Sequence, residues 1–350
     1  MKVVVLPDKF RGTLESREFV DVAKRVLGDF GEVQGRVVSD GGEGLIEALG
    51  GSFIDVATVD ALGRSIQAGY SRLEDGTAIV EMSRASGMNL VGSAESNDAL
   101  AASTYGTGVL IRAAVVGGCT KVIVGCGGSA TTDGGMGALR ALGSDSIYQR
   151  VSFTAAVDVN TRYLEAARVF APQKGASATE VEFLTRRLAG CANLLTERYK
   201  RDPSKIDGSG AAGGLAGMIY AMGGSIVPGF DVVEEYLGLE DLIEGCDLVI
   251  TGEGLVDSES FDGKVVGSVL ALAARLKKPT LVVCGTARPE VRSRLAQSAL
   301  GVVELVAVFG QDKAMTETAW CVGEAMAGFA SHYAKGGDWP KAAEINNPGN

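Results

Sequence analysis

The chain repeatedly alternates short apolar runs with glycine-rich loops. The run Val3-Val4-Val5-Leu6 leads into PDKFRGT, and the run at 121–125 leads into CGGSATTDGG (126–135). CDLVITGEG, PTLVVCG and GVVELVAVFG have the same character, and helical patterns separate them. Buried-type strands that alternate with helices are typical of parallel sheets with crossover helices. We therefore predict an α/β protein with a parallel sheet of the flavodoxin or Rossmann type.

The middle of the chain has a different pattern. RSIQAGYSRL and TAIVEM flank Glu74-Asp75-Gly76, which predicts a β-hairpin. One amphipathic helix is predicted over 179–200, because Val181, Leu184, Leu188, Cys191 and Leu195 share one stripe. We expect a mixed α/β domain at 63–274, inserted into a parallel-sheet domain built from 1–62 and 275–335. The polar tail at 336–350 is expected to be disordered.

Composition and charge exclude several classes of function. The chain has 350 residues, 46% of them hydrophobic, which suits two packed domains. Its net charge of −10 argues against a nucleic-acid partner. No apolar run is long enough to span a membrane and no signal peptide precedes the first strand, which favours a cytoplasmic protein. The six cysteines show no CxxC pairing, and the lone His332 argues against a Ser-His-Asp site.

The segment GSGAAG (208–213) matches the dinucleotide pattern GxGxxG. That pattern requires a buried strand immediately before it, whereas KRDPSKID is polar and contains proline. We therefore discount an NAD site and a dehydrogenase function. Two interpretations remain open for this segment: an anion site at a helix N-terminus, or close glycine-mediated helix packing.

Several loops combine glycine with hydroxyls or carboxylates, and most of them follow an apolar run. They are PDKFRGT, SDGGEG, STYGTG, GGSATTDGG and TGEGLVDSESFDGK. In open α/β sheets the carboxyl ends of the strands converge on one ligand crevice. Acids there hold Mg²⁺, while backbone N–H groups and cations hold phosphoryl oxygens. The loops together predict a phosphoryl-transfer site.

In their order along the chain these motifs resemble the bacterial type I glycerate kinase family. The match includes LPDKFRGTL, SDGGEG, ALGR, STYGTGVLI, GGSATTDGG, FAPQKGA, GSGAAGGLAG and TGEGLVDSESFDGK, and it extends to about residue 334. The resemblance implies an ATP- and Mg²⁺-dependent kinase that phosphorylates D-glycerate, usually to 2-phosphoglycerate. It also implies two α/β domains with the active site in the cleft between them. The expected partner is a small hydroxy acid, and a homodimer is one possible assembly.

The resemblance also assigns site residues. We assign catalytic roles to Asp8, Arg11, Asp133, Lys174 and Asp257. Substrate- or phosphate-binding roles go to Gly127, Gly128, Ser129, Thr131, Gln173, Gly210, Gly213, Gly214, Glu253 and Lys264. Asp257, Asp133 and Asp158 are the candidate metal ligands, and Asp40 and Glu43 match the acids of the DGGEG motif. For each single carboxylate the alternative role is a helix cap or an ion-pair partner.

The chain departs from the family pattern at five positions. Lys9 stands where the family has serine, Arg11 where it has lysine, and Val109 where it has glutamate. Leu255 replaces an arginine and Glu259 a glutamine, and both changes weaken an anion site. Two interpretations follow. Lys9 and Arg11 supply the charge in an active kinase with shifted specificity, or the chain is a non-catalytic relative that binds a small anion or a partner protein.

Overall fold

The computed structural model describes residues 1–143 and 147–333, which form two compact units. The first unit combines Met1–Ser39 with the chain from Glu234 onward, and the second is Asp40–Val233. The predicted nesting of one α/β domain within another is confirmed. The tail at 336–350, expected to be disordered, lies outside the described residues.

Strands and helices alternate through both units. The strands are β1 (Lys2–Val5), β2 (Glu32–Gly35), β3 (Ser52–Val59), β4 (Ser65–Arg72), β5 (Ala78–Glu81), β6 (Lys121–Gly125), β7 (Ser152–Val157), β8 (Ser225–Pro228), β9 (Leu248–Val256), β10 (Thr280–Ala287) and β11 (Gly301–Glu304). The helices are α1 (Ser16–Leu27), α2 (Leu45–Leu49), α3 (Ser83–Ser86), α4 (Met88–Val91), α5 (Tyr105–Val116), α6 (Met136–Leu142), α7 (Ala166–Phe170), α8 (Ala178–Tyr199), α9 (Ala211–Ala221), α10 (Gly229–Leu237), α11 (Leu239–Glu244), α12 (Val265–Arg275), α13 (Pro289–Ser298), α14 (Leu305–Phe309), α15 (Gln311–Thr316) and α16 (Thr318–Tyr333). Within these described residues, no helix is both long enough and apolar enough to cross a membrane.

The first unit contains the predicted parallel sheet, in the order β11-β10-β9-β1-β2. All four strand pairs are parallel, and the apolar side chains of β1 and β10 are buried. From β1 the chain moves to β2 on one side, whereas from β9 it moves to β10 on the other. The boundary between β1 and β9 is therefore the point where strand order reverses, and open α/β sheets bind ligands at the carboxyl ends of such strands.

The second unit contains the mixed sheet, in the order β3-β4-β5-β6-β7-β8. The pairs from β3 to β5 are antiparallel and those from β5 to β8 are parallel. The predicted hairpin is confirmed, since Ser71 pairs with Ile79 and Arg72 with Ala78. The predicted long helix is also confirmed as α8, which buries Leu184, Leu188, Cys191 and Leu195.

The boundaries of the two units differ from the predicted ones. The chain divides at 39/40 and 233/234 instead of 62/63 and 274/275. Two strands explain the difference: β3 pairs along its whole length with β4 in the second unit, and β9 pairs with β1 in the first. The prediction that GVVELVAVFG is a single strand is wrong in its second half, because the strand ends at Glu304 and α14 follows.

Candidate functional site

The loop after β6 is rigidly held within the second unit. Ser129 forms an isolated antiparallel bridge with Gly87, and the N–H of Met88 donates to the carbonyl of Gly128 at 2.9 Å. Gly128 has φ +67°, a conformation that L side chains rarely adopt. A Cβ at Gly127 would lie 2.6 Å from the Cα of Gly42, so the SDGGEG loop packs directly against this one. The glycines here permit a close backbone approach.

Lys174 meets this loop from a 3₁₀ turn at Pro172–Lys174. Its side chain is buried, and Nζ donates to Ser129 Oγ and to the Thr131 carbonyl, both at 2.7 Å. Asn97, which the sequence did not single out, donates from Nδ2 to the carbonyls of Ala130 and Lys174 at 3.0 and 2.8 Å. The lysine and the loop therefore form one unit, although 45 residues separate Lys174 from Ser129.

The environment of Lys174 controls its charge. Burial lowers its pKa to about 7, and nearby Asp133 opposes that shift. Two of the three donors of a lysine ammonium group are used by the loop, which leaves a third for a ligand. A bound anion would favour the charged form, so ligand binding and protonation of Lys174 are coupled.

Asp133 lies in a network of hydrogen-bond donors. Its side chain is buried and accepts hydrogen bonds from the backbone N–H groups of Thr104 at 2.8 Å and of Gly135 and Gly137 at 3.0 Å. The Thr104 hydroxyl donates at 2.9 Å as well. These donors occupy both carboxylate oxygens. The arrangement fits the alternative role of a helix cap, since these bonds hold the turn into α6, whereas the catalytic and metal-binding roles of Asp133 stay predictions.

The segment 208–214 packs against the same loop. Ala212, Gly213 and Gly214 adopt left-handed backbone conformations, and the N–H of Gly134 donates to the Gly213 carbonyl at 2.9 Å. A Cβ on Gly213 would lie 2.0 Å from the Thr131 carbonyl oxygen. A Cβ on Gly210 would lie 2.5 Å from the Arg162 carbonyl. Close packing thus accounts for both glycines, whereas anion binding by this segment stays a prediction.

These elements line a cavity of about 330 Å³ within the second unit. Its wall combines polar groups predicted for the site with apolar side chains that the sequence did not point to. The lining residues are Met88, Cys126, Gly127, Gly128, Ser129, Asp158, Val159, Phe170, Gln173, Lys174, Ala211 and Ala212. Asp158 enters the wall because it directly follows β7. Thr131 is not among the lining residues, and its buried hydroxyl has no hydrogen-bond partner among the described residues. The cavity suits a small ligand with one anionic end.

A second group of predicted residues lies in the first unit, after β1 and within and after β9. The Asp8 N–H donates to the Gly252 carbonyl at 2.8 Å, and a Cβ on Gly254 would lie 3.3 Å from the Cα of Phe10. The two loops are therefore in contact where the strand order reverses. Arg11 lies on the first of them and is exposed.

Glu253 is the electrostatically unusual residue of this group. Its Oε1 atom is buried and has no hydrogen-bond partner within the described residues. Burial, with smaller contributions from Asp8 and Asp257, raises its pKa to about 7, while Ser260 and Lys264 oppose the shift. A carboxyl group that titrates near pH 7 can accept or donate a proton under physiological conditions.

Lys264 is already paired. Its Nζ donates to Glu259 Oε2 at 2.8 Å, with the lysine side chain 25% exposed and the glutamate 73%. Burial acts to lower the pKa of Lys264, but Glu259, Asp257 and Glu253 outweigh it and the pKa is raised. Asp257 Oδ1 accepts from the Ser260 N–H at 3.2 Å. Lys264 thus has a carboxylate partner in the place where the sequence predicts an anionic ligand.

The sequence predicts carboxylate ligands for Mg²⁺, and the structure shows how the carboxylates are grouped. Among residues 1–143 and 147–333, no three His, Cys, Asp or Glu side chains are close enough to hold one ion by themselves. Mg²⁺ commonly takes only one or two carboxylates and completes its shell with water and substrate phosphates. Asp257, whose charge acts on the neighbouring Glu253, fits such a partial donor set as a single carboxylate ligand.

Comparisons with known proteins agree on one family. The sequence model of the glycerate kinase family matches residues 3–150 and 143–333. Glycerate 2-kinase of Escherichia coli K12 is 34% identical over 334 residues, covering 83% of this chain and 87% of that protein. Glycerate kinase of Bacillus subtilis 168 is 31% identical, covering 82% of this chain and 85% of that protein.

The fold agrees as well. A crystal structure of a candidate glycerate kinase 2 from Salmonella typhimurium LT2 superposes with a TM-score of 0.81 at 29% identity. The superposition covers 96% of this chain and 99% of that one. An uncharacterized protein from Synechocystis is 35% identical over 89% of this chain. The predicted family resemblance is confirmed.

Proposed function

Since the chain belongs to the glycerate kinase family, we propose that it uses ATP and Mg²⁺ to phosphorylate D-glycerate to 2-phosphoglycerate. The observation that carries this proposal is the buried Lys174, bonded to the Ser129 and Thr131 positions of a glycine-rich loop and lining a cavity. Phosphoryl transfer needs a positioned positive charge, and the buried Lys174 amine beside a rigid loop in the cavity wall can supply one.

In this proposal each group of residues has a defined task. Lys174 binds an anionic oxygen and neutralises charge that develops on the transferring phosphoryl group. Gly127, Gly128 and Ser129 orient that group through backbone N–H donors and a hydroxyl. Glu253 accepts the proton of the acceptor hydroxyl, because a base with a pKa near the working pH is efficient. Mg²⁺, when bound, would supply charge neutralisation, and Asp257 in the first unit and Asp158 in the second are alternative candidate ligands.

The remaining assignments stay proposals. Asp8 and Arg11 are proposed to contact substrate, and Gln173, Thr131 and Lys264 to bind its oxygens. The predicted location of the active site between the two domains also stays a prediction.

The direct test is an assay of the purified full chain with ATP, Mg²⁺ and D-glycerate. We expect ADP release that depends on glycerate, with ³¹P NMR identifying the 2-phosphate product. A 3-phosphate product would contradict the proposed regiochemistry. Absence of substrate-dependent ADP release across several hydroxy acids would refute the kinase proposal.

A second candidate is a relative that binds a small anion without turnover. The observation that favours it is the ion pair between Lys264 and Glu259, which occupies a cation predicted to bind phosphate. Calorimetric titration with D-glycerate separates the two functions. Binding of glycerate without ADP release would support this candidate, and glycerate-dependent turnover would exclude it.

A further inference from the structure

Asn97, in the segment between α4 and α5, links two parts of the second unit that are distant along the chain. Its Nδ2 atom donates to the Ala130 carbonyl at 3.0 Å and to the Lys174 carbonyl at 2.8 Å, which are 33 and 77 residues away. A side-chain amide has two N–H donors, so these bonds use both of them. Asn97 therefore fastens the 3₁₀ turn that carries Lys174 to the loop after β6.

The two carbonyls lie at the two ends of the lysine. Lys174 Nζ donates to Ser129 Oγ and to the Thr131 carbonyl, and Ala130 is the residue between these two acceptors. Asn97 thus holds the lysine at its own backbone and holds the loop beside the partners of the amine. Because a lysine side chain is flexible, fixing both ends limits where Nζ can lie.

The backbone of the same segment also contacts the turn. A Cβ on Gly175, directly after Lys174, would lie 2.1 Å from the Ala94 carbonyl oxygen. The Asn97 N–H donates to that carbonyl at 3.3 Å. This contact does not involve the side-chain amide, so we expect the segment to stay folded when the amide alone is removed.

The amide of Asn97 has one favourable orientation. Turning it over would set Oδ1 against the two carbonyl oxygens that now accept from Nδ2. In the observed orientation Oδ1 is buried and has no hydrogen-bond partner within the part of the chain that the structure describes. An unpaired buried acceptor costs free energy, which offsets part of what the two Nδ2 bonds contribute to stability. Fixing the lysine is the effect of these bonds that remains undiminished.

We propose that Asn97 is a positioning residue for the phosphoryl transfer proposed above, because its amide keeps the Lys174 amine beside Ser129 in the cavity wall. Asn97 is not among the residues that line the cavity, so it acts through the lysine. Misplacing a catalytic group by about 1 Å can lower a rate about 100-fold. Without the two Nδ2 bonds the turn can shift away from the loop, and water can reach the amine.

The test compares Asn97→Ala with Ser177→Ala in the purified full chain. Ser177 follows Lys174 closely along the chain, and its hydroxyl caps α8 by accepting from the Glu180 N–H. Ser177→Ala therefore also removes a local hydrogen bond without a change of charge. The readouts are kcat, KM for ATP and for D-glycerate, and the pKa of Lys174 from ¹³Cε NMR of labelled lysines. Lys174→Met identifies the resonance, and circular dichroism shows that each variant is folded.

Asn97→Ala should change two independent quantities. We expect kcat to fall about tenfold or more with each KM within about threefold of wild type, because the loss is in the transition state. Burial lowers the pKa of Lys174 to about 7 against the opposing effect of Asp133. Access of water favours the charged amine, so this pKa should rise by about one pH unit or more. Ser177→Ala should match the wild type in both quantities.

Asn97→Ser, which keeps a short hydroxyl donor, should show both changes to a smaller degree, and it replaces Asn97→Ala if that variant does not fold. A kcat and a Lys174 pKa that equal those of Ser177→Ala would overturn the proposal. In an active enzyme, a change in one quantity without the other would overturn it as well. If the wild type shows no glycerate-dependent turnover, the kinase function fails. The pKa then tests the placement of the amine by itself: a rise supports it and an unchanged value refutes it.

Discussion

The buried amine of Lys174 gives a quantitative prediction about stability and pH. Burial lowers its pKa from 10.5 to about 7, so between these two values the unfolded chain carries a proton that the folded chain lacks. Raising the pH removes this proton from the unfolded state and thereby stabilises the folded one. Below pH 7 both states are protonated, so the full cost of the buried charge is present there.

The size of the effect follows from proton linkage. A difference of one bound proton changes the free energy of unfolding by about 1.4 kcal/mol per pH unit. In Lys174→Met this dependence is absent. Between pH 7.5 and 9.5 the wild type should therefore gain about 2–3 kcal/mol relative to the variant. Other groups that titrate in this range are present in both proteins, and their contributions cancel in the difference.

Urea unfolding followed by circular dichroism at several pH values provides the measurement. Ser129→Ala is the matched control, because it removes one partner of the amine and keeps the amine itself. It should show the pH dependence of the wild type. Parallel stability curves for the wild type and Lys174→Met would refute the assignment of a neutralised lysine to this site.

Three further substitutions test separate parts of the structure. Gly213→Ala should destabilise the fold by about 2–4 kcal/mol, because its Cβ would lie 2.0 Å from the Thr131 carbonyl oxygen on a left-handed backbone. Urea unfolding measures this loss of stability. A loss below about 0.5 kcal/mol would contradict the packing argument. Tyr163→Phe removes the 2.7 Å hydrogen bond from the buried hydroxyl to the Gly134 carbonyl, and it should lower the free energy of unfolding by about 1–2 kcal/mol in the same assay. Unchanged stability would mean that this bond does not hold the loop. Glu259→Gln frees Lys264 and should lower KM for the anionic substrate about two- to fivefold, as expected for an exposed ion pair. Asp262→Asn makes the same charge change without that contact and should leave KM unchanged, so equal effects of both variants would indicate net charge alone.

Local patterns were sufficient for the elements that position the site. Short apolar runs followed by glycine-containing loops predicted β1, β6, β9 and β10, because burial of a strand on both faces leaves a continuous apolar signature. Local patterns were not sufficient where one apolar run spans the end of a strand and the start of a helix, as in GVVELVAVFG. The strand β11 ends at Glu304, whose carboxylate pairs with Arg292 at 2.8 and 2.9 Å, an interaction between separate elements. No periodicity within GVVELVAVFG reveals that contact.

In the candidate site, too, local motifs predicted some features, and contacts between distant residues decide the others. The glycine loop and Lys174 were predicted from motifs, whereas the roles of single carboxylates depend on distant partners. Asp133 accepts a hydrogen bond from Thr104, which lies 29 residues away, and no local pattern reveals that contact. Asn97 had no sequence signal, because an asparagine is common in any loop. The GSGAAG motif singled out 208–213, but the left-handed conformation of Ala212 is visible only in the backbone.

Lys174 is proposed to neutralise charge during phosphoryl transfer to glycerate. ADP formation in a single turnover, with the wild type or Lys174→Met in excess over ATP and with Mg²⁺ and D-glycerate saturating, measures this role directly. We expect glycerate-dependent ADP formation in the wild type and a single-turnover rate at least about 100-fold lower in the variant, with the variant still folded. Equal rates in the two proteins would contradict it.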